Sequence, residues 1–183
     1  GAQTSKTAID AARAAYNRLT EAQKKLVTNF GTLTTAEKTY QTIKDAENNA
    51  VKKGQSYKSG NYQYKVLDVS KKTVSVTKAL KASKTIKVPS TVKIKGKSYK
   101  VVEVAKGAFK NNKKVQTVTI GKNVKKIGAN AFSGSKNLKK VTISSTVLTT
   151  IDKQAFYNCK KLATVKITSK KLKTVAKQQR RLR

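Results

Sequence analysis

The chain has 183 residues, of which 37% are hydrophobic, and it carries 42 Lys and Arg against eight Asp and Glu, a net charge of +34. That length holds one large domain or two small ones. Its single cysteine and its lack of histidine exclude an intrachain disulfide and a structural zinc site built by this chain alone, and they remove the commonest general base.

The first 54 residues predict a module of three helices. Apolar residues that start at Ile9 follow the spacing of an amphipathic helix. Thr20 is placed to cap a short second helix. A break over residues 30–33 then precedes a third helix, which we expect to begin at Thr34 or Thr35.

Residues 55–100 alternate polar and apolar side chains, which predicts short β-strands. The alternating runs contain Tyr62, Val74, Ile86 and Val92, and are separated by Lys, Ser and Gly turns. This segment leads directly into a repetitive region but lacks the Ala-Phe pair that recurs there. We therefore expect it to form an irregular β N-terminal cap.

The following residues repeat with a fixed period. An Ala-Phe pair recurs at 108–109, 131–132 and 155–156, and other apolar positions keep the same spacing. A period of 23 to 24 residues predicts a solenoid whose repeat units bury their apolar faces against their neighbours. Repeats fill residues 101–176, and residues 177–183 are a basic tail. The predicted repeat core is Ala108, Phe109, Val118, Ile120, Ile127, Ala131, Phe132, Leu138, Val141, Ile143, Ile151, Ala155, Phe156, Cys159, Leu162, Val165 and Ile167.

The repeat phase favours structural roles for the reactive and aromatic residues. The three phenylalanines predict an internal stacked ladder, with a base-stacking platform as the alternative. Cys159 has no histidine to activate it and is expected to be a small buried filler. Glu103 and Asp152 belong to different repeats, so we expect them to lie far apart and not to form a hydrolase pair. No catalytic, cofactor-binding or metal-binding residue is assigned.

What remains for binding is the outward side of the repeat strands, where Lys and Thr predominate. Lysines also occupy the opposite loops, so the sequence does not favour one face. The candidate ligand-binding residues are Gln116, Thr117, Thr119, Lys139, Lys140, Thr142, Thr164 and Lys166.

The charge is uneven along the chain. Residues 1–54 carry nine basic and five acidic groups, whereas residues 55–183 carry 33 and three, a net charge of +30. Such a field attracts anionic glycans, wall polymers or nucleic acid. The alternative is a solvated lysine coat that keeps an extended monomer soluble. Only five arginines are present, so no specific nucleic-acid readout is expected.

The repeat unit from Val124 to Ile143, Val-x-x-Ile-Gly-x-x-Ala-Phe-x-x-x-x-x-Leu-x-x-Val-x-Ile, resembles the BspA-like class of leucine-rich repeats. The third copy carries that class's Ala-Phe-x-x-Cys-x-x-Leu signature, whereas Asn112 and Ser135 replace the cysteine in the other two. With the cap, the resemblance covers roughly residues 60–176. Residues 8–46 look like small helical modules of Gram-positive surface proteins.

The resemblance implies an α+β protein: a three-helix module, then a short β-rich leucine-rich-repeat solenoid with an irregular β N-cap. It also implies a secreted or bacterial cell-surface protein that adheres to a host or neighbouring-cell protein or polysaccharide, without catalysis or cofactor. A polyanion-binding protein and a structural spacer remain as alternatives. Retention on heparin and DNA across a salt series separates the adhesion module from the polyanion-binding protein.

Overall fold

A computed structural model describes residues 2–176, and the predicted basic tail, 177–183, lies outside this range. The chain divides between Ala50 and Val51 into a helical unit and a β-rich unit. The predicted boundary lay four residues later. Val51 packs against the β-rich core and the amide of Gly54 donates to the carbonyl of Val66, so this short segment belongs to the second unit.

The helical unit contains three helices, as predicted: α1 (Ala2–Asn17), α2 (Glu21–Lys25) and α3 (Phe30–Asn49). Thr20 caps α2 through a capping box with Gln23, in which each side chain binds the other residue's backbone amide.

Helix α3 begins at Phe30, earlier than the predicted Thr34 or Thr35. The hydroxyls of both threonines donate to the carbonyl of Gly31, so they stabilise the first turn instead of preceding it. The Phe30 ring also stacks on Tyr16, with centroids 3.9 Å apart. Contacts beyond the local sequence therefore extend the helix across the predicted break. Within residues 2–176, no helix is long and apolar enough to cross a bilayer.

The β-rich unit begins with the predicted cap. Its strands are β1 (Ser56–Ser59), β2 (Tyr62–Asp68), β3 (Thr73–Ala79), β4 (Thr85–Val88), β5 (Thr91–Ile94) and β6 (Lys97–Val104). The repeats then supply β7 (Thr117–Ile120), β8 (Lys126–Ile127), β9 (Lys140–Ile143), β10 (Thr150–Ile151), β11 (Thr164–Ile167) and β12 (Thr174–Val175).

These strands form two sheets in a β-solenoid of about four turns. The eight-stranded sheet has the order β1-β2-β3-β6-β8-β10-β12, with β5 paired to β6. Its first strands are antiparallel, and its strands from β6 onward are parallel along the solenoid. The four-stranded sheet, in the order β4-β7-β9-β11, is parallel throughout.

The solenoid interior contains a stack of aromatic rings. Phe109 and Phe132 lie 5.1 Å apart at 18°, and Phe132 and Phe156 lie 5.4 Å apart at 5°. All three side chains are buried. Tyr62 ends the stack by setting its ring edge against Phe109, and its hydroxyl accepts from the amide of Lys87 on β4. One tyrosine of the cap thus covers the ladder and occupies part of the free edge of β4.

Two residues of the predicted core differ from expectation. Val165 is 40% exposed and Ile167 is partly exposed, whereas the equivalent Val141 and Ile143 are fully buried. Both belong to β11, which within residues 2–176 pairs only with β9. An inward-facing side chain on an edge strand lacks the neighbouring turn that would cover its other side. The other fifteen predicted core residues are buried.

Candidate binding face

The parallel register of β4, β7, β9 and β11 arranges their outward side chains in straight rows. We call this surface the four-stranded face. Inward residues of the same strands, such as Val118 and Ile120, are completely buried. Successive side chains of a strand point to opposite sides, so the alternating residues face outward. The outward rows are Thr85, Thr117, Lys140 and Thr164, then Lys87, Thr119, Thr142 and Lys166.

A third row precedes the strands. The amide of Gln116 donates to the carbonyl of Lys84 over 2.8 Å, Lys139 donates to Gln116 over 2.8 Å, and Ala163 donates to Lys139 over 3.0 Å. Six of the eight candidate residues from the sequence therefore lie in two outward rows of the sheet, and Gln116 and Lys139 lie in the row directly before its strands.

The sequence reasoning missed the contribution of β4 to these rows. Lys84, Thr85 and Lys87 occupy the same register positions as Gln116, Thr117 and Thr119. A signal was present, because Thr-Ile-Lys-Val at 85–88 has the same pattern as Thr-Val-Thr-Ile at 117–120. It was overlooked because the Ala-Phe pair that marks the other repeats is absent from this segment.

Charge is divided unequally between the two sheets. The β-rich unit has three carboxylates within residues 51–176, and all belong to the eight-stranded sheet or its flanks: Asp68 ends β2, Glu103 lies on β6 and Asp152 follows β10. The four-stranded face has exposed lysines and, within the same residues, no carboxylate. The two sheets therefore differ in electrostatic character.

Glu103 and Asp152 were expected to lie far apart, and that expectation is wrong. Glu103 pairs with Lys126 across β6 and β8, and the ammonium of Lys126 lies 3.0 Å from the carboxylate of Asp152. Burial raises the pKa of Glu103; Lys126 opposes that rise and the nearby charge of Asp152 adds to it. The error arose because β6 and β10 lie on either side of β8, so Glu103 and Asp152 both come near Lys126. The charge of Lys126 acts on both carboxylates.

The raised pKa of Glu103 predicts a pH-dependent effect on stability. Its ionised form is disfavoured in the folded state, so the penalty is present above the folded pKa and absent below the unfolded value of 4.5. We expect Glu103→Gln to raise the Tm at pH 7, and the gain to disappear as the pH falls below about 4. Thermal unfolding followed by circular dichroism at both pH values measures this.

Asp68→Asn is the matched control. Backbone and hydroxyl donors at Lys71 and Ser70 lower the pKa of Asp68, so its ionised form stabilises the fold. This variant should lower the Tm at pH 7, with the difference shrinking as the pH falls through the folded pKa. A Glu103→Gln variant that lost stability at pH 7 would contradict the assignment.

Cys159 has a structural hydrogen bond inside the solenoid. Its Sγ lies 3.1 Å from the carbonyl oxygen of Phe132 and donates to it. One turn earlier, the hydroxyl of Ser135 donates over 3.2 Å to the carbonyl of Phe109. The two side chains thus perform the same task at equivalent positions. Burial raises the pKa of the Cys159 thiol to about 11, which keeps the donor protonated.

This equivalence predicts that Cys159→Ser is better tolerated than Cys159→Val. Serine preserves the donor, whereas valine removes it and leaves the Phe132 carbonyl with the Ser135 amide alone, at 3.1 Å, at a cost of roughly 0.5–1.5 kcal/mol. Urea unfolding of the two variants compares them. In the native protein, a thiol-alkylating reagent should modify Cys159 only after unfolding. Rapid native alkylation, or equal stability of the two variants, would contradict this role.

Within residues 2–176, no group of three or more His, Cys, Asp or Glu side chains could hold a metal ion.

Short parallel strands stacked once per repeat over an aromatic ladder define a leucine-rich-repeat solenoid. The chain belongs to the BspA type leucine-rich repeat region family, whose model matches residues 84–179 in six copies. That match begins after the helical unit, so the resemblance of residues 8–46 to modules of Gram-positive surface proteins stays a prediction.

Solved structures of bacterial repeat proteins are similar to the β-rich unit. A leucine rich cell surface protein from Faecalibacterium prausnitzii A2-165 is 31% identical over 63% of this chain, with a TM-score of 0.56. The T. pallidum leucine-rich repeat protein is 28% identical over 61%, with a TM-score of 0.51. A leucine-rich repeat protein from Bacteroides capillosus ATCC 29799 shares the fold at 23% identity over 69%, with a TM-score of 0.61.

The similar region spans different shares of these proteins: 31% of the Faecalibacterium chain, 49% of the T. pallidum chain and 92% of the Bacteroides chain. No curated protein matches this chain. The comparisons place the chain in a family of bacterial surface repeat proteins, which is consistent with a binding module.

Proposed function

We propose that the chain is a non-enzymatic adhesion module of a bacterial cell surface, which works as a monomer and holds its partner on the four-stranded face. The partner is a protein or polysaccharide of a host or neighbouring cell. The observation that carries the proposal is the register of β4, β7, β9 and β11, which presents aligned rows of side chains on a rigid parallel sheet.

Two further features support this proposal. The inward residues of β4, β7 and β9 are buried in the core, so the outward residues are the part of these three strands that is free to recognise a partner. The family includes bacterial surface proteins, and the Faecalibacterium relative is itself described as a cell surface protein. A repeat scaffold that exposes an extended, regular surface is well suited to binding.

Adhesion of protein-coated beads to an epithelial cell layer and to an extracellular-matrix gel tests the proposal. Thr119→Trp places a bulky ring in the middle of the four-stranded face and should abolish bead retention. Thr73→Trp is the matched control, because Thr73 is also partly exposed but lies on β3 of the eight-stranded sheet. Thermal melts establish that both variants are folded.

Retention of wild-type and Thr73→Trp beads, with loss of Thr119→Trp beads, supports the proposal. Equal retention of all three would place adhesion elsewhere on the protein. No retention of wild-type beads on either surface would favour a structural spacer. Both of these results contradict the proposed role of the face.

A second candidate function is diffuse binding of anionic polymers by the whole lysine coat. It is supported by the net charge of +30 over residues 55–183 and by exposed lysines on the eight-stranded sheet, including Lys65, Lys78 and Lys100. Binding of this kind weakens steeply with added salt and does not depend on which face carries the charge. Retention on heparin and DNA that vanishes together at moderate salt would favour it.

A further inference from the structure

The four-stranded face combines positive charge with hydroxyl groups. Its three rows contain five exposed lysines together with five threonines and one glutamine, and, within residues 51–176, no carboxylate. All the carboxylates of that range lie on the side of the eight-stranded sheet. An anionic ligand that approached the four-stranded face would meet no repulsive group there. The five lysines are Lys84, Lys87, Lys139, Lys140 and Lys166.

The chemistry of the face narrows the class of anion. Strands β4, β7, β9 and β11 contain no aromatic residue, and residues 51–176 contain no arginine. Single-stranded nucleic acids are held largely by stacking on aromatic rings, and phosphates are best matched by arginine forks. A protein epitope would need buried aromatic or arginine anchors. Lysine, threonine and glutamine instead match the carboxylate, sulfate and hydroxyl groups of an acidic sugar polymer.

Two of the three rows contain a pair of lysines whose separation is set by the strand register. Lys84 and Lys139 lie two strands apart in one row, about 10 Å at the normal strand spacing, and Lys87 and Lys166 lie three strands apart, about 14 Å. Gln116 lies between Lys84 and Lys139, and the hydroxyls of Thr119 and Thr142 lie between Lys87 and Lys166. A linear polymer with repeating anions can contact several of these positions at once.

We propose that the four-stranded face binds an anionic polysaccharide, whose chain runs across the strands along the rows of lysine and threonine. This inference rests on the proposed function and assigns the ligand class to its binding face. The lysine ammonium groups should attract the anions of the polymer electrostatically. Hydrogen bonds from the threonines should favour a sugar polymer over other anions of equal charge.

Two variants of equal charge separate this site from the general lysine coat. The face variant replaces Lys87, Lys139, Lys140 and Lys166 with glutamine. The control variant replaces four exposed lysines of the eight-stranded sheet with glutamine: Lys65, Lys78, Lys93 and Lys100. Heparin is the anionic polysaccharide probe, dextran the neutral polysaccharide and oligo-dT the nucleic acid. Affinities are titrated from low salt to about 0.15 M, where exposed charges are screened beyond about 8 Å.

At the higher salt we expect the face variant to lose roughly tenfold or more in heparin affinity, and the control variant less than about threefold, because screening weakens distant lysines more than contacting ones. Oligo-dT affinity should fall equally in both variants, and dextran should not bind. Equal losses of heparin affinity would overturn the inference in favour of the coat. A face-dependent preference for oligo-dT over heparin would overturn it in favour of nucleic acid.

Failure of this inference is distinguishable from failure of the proposed function. If heparin does not bind at about 0.15 M salt, yet Thr119→Trp still abolishes bead adhesion, the anionic polysaccharide is excluded and the adhesive face stands. If neither Thr119→Trp nor the face variant changes any binding, both proposals fail.

Discussion

Replacing Phe132 with alanine is expected to destabilise the β-rich unit by about 3–5 kcal/mol, as for other buried aromatic side chains. The side chain is fully buried, and its ring stacks on Phe109 and Phe156 at 5.1 and 5.4 Å. Truncation would therefore leave a cavity between two rings that belong to different turns. Urea unfolding followed by circular dichroism measures the change in the free energy of unfolding.

A valine pair provides the control for burial. Val141 and Val165 occupy the same register position on β9 and β11, but their exposures are 0% and 40%. Val141→Ala should therefore cost more than Val165→Ala, and both should cost less than Phe132→Ala. A Phe132→Ala protein as stable as the wild type would contradict the internal ladder.

The second large effect is expected at Gly128, where adding one methyl group should destabilise the β-rich unit by about 3 kcal/mol, at the upper end of the usual range for overpacking. A Cβ at this position would lie 2.6 Å from the amide nitrogen of Lys106, and 2.8 and 2.9 Å from backbone atoms of Ala105 and Val104. These atoms belong to the preceding turn, whose backbone is fixed by hydrogen bonds such as Gly128 N–H to the Val104 carbonyl, 2.8 Å. They cannot move aside as a flexible side chain could.

Gly31→Ala is the control for this substitution. No atom lies within 4 Å of a Cβ built at Gly31, and the residue lies in α3 of the helical unit. Because Gly31 is the second residue of α3, alanine should stabilise that helix by less than the roughly 0.5–1 kcal/mol of a mid-helix position. Thermal melts of the two variants should therefore shift in opposite directions. If Gly128→Ala were as stable as the wild type, successive turns would have to lie farther apart than they do in the structure.

The period of the repeats was predictable because each turn must present the same apolar side chains to its neighbours. Phe109, Phe132 and Phe156 are separated by 23 and 24 residues, and this spacing places them in one stack. The same phase predicted which residues of β7 and β9 point inward. Local chemistry also predicted the Thr20 cap, since a side-chain cap needs only the next three residues.

Features that depend on contacts between turns were not predictable in the same way. Glu103 and Asp152 are almost fifty positions apart in sequence, and only strand order brings both beside Lys126. The exposure of Val165 follows from its place on an edge strand, which its repeat pattern does not reveal. Similarly, the role of Tyr62 in covering Phe109 depends on how the irregular cap meets the first repeat.

The candidate face was predictable in part. The period of two along each strand identified six of its outward residues, and the positions of Gln116 and Lys139 followed from the repeats. Sequence reasoning could not choose this face, since lysines occur on both sides. We propose this face because of the register of its four strands. The proposed anionic ligand rests in addition on the distribution of carboxylates, which becomes apparent only when Asp68, Glu103 and Asp152 are placed in their strands.

Stacking of successive turns is the basis of both the core and the four-stranded face. Nuclear Overhauser effects between aromatic ring protons test it most directly, because they require protons within about 5 Å, a separation that the offset stacking of neighbouring aromatic rings provides. The structure predicts strong cross-peaks from Phe132 to Phe109 and from Phe132 to Phe156, and an edge contact from Tyr62 to Phe109. A folded protein in which Phe132 shows cross-peaks to neither phenylalanine would contradict the stacked turns and the face built on them.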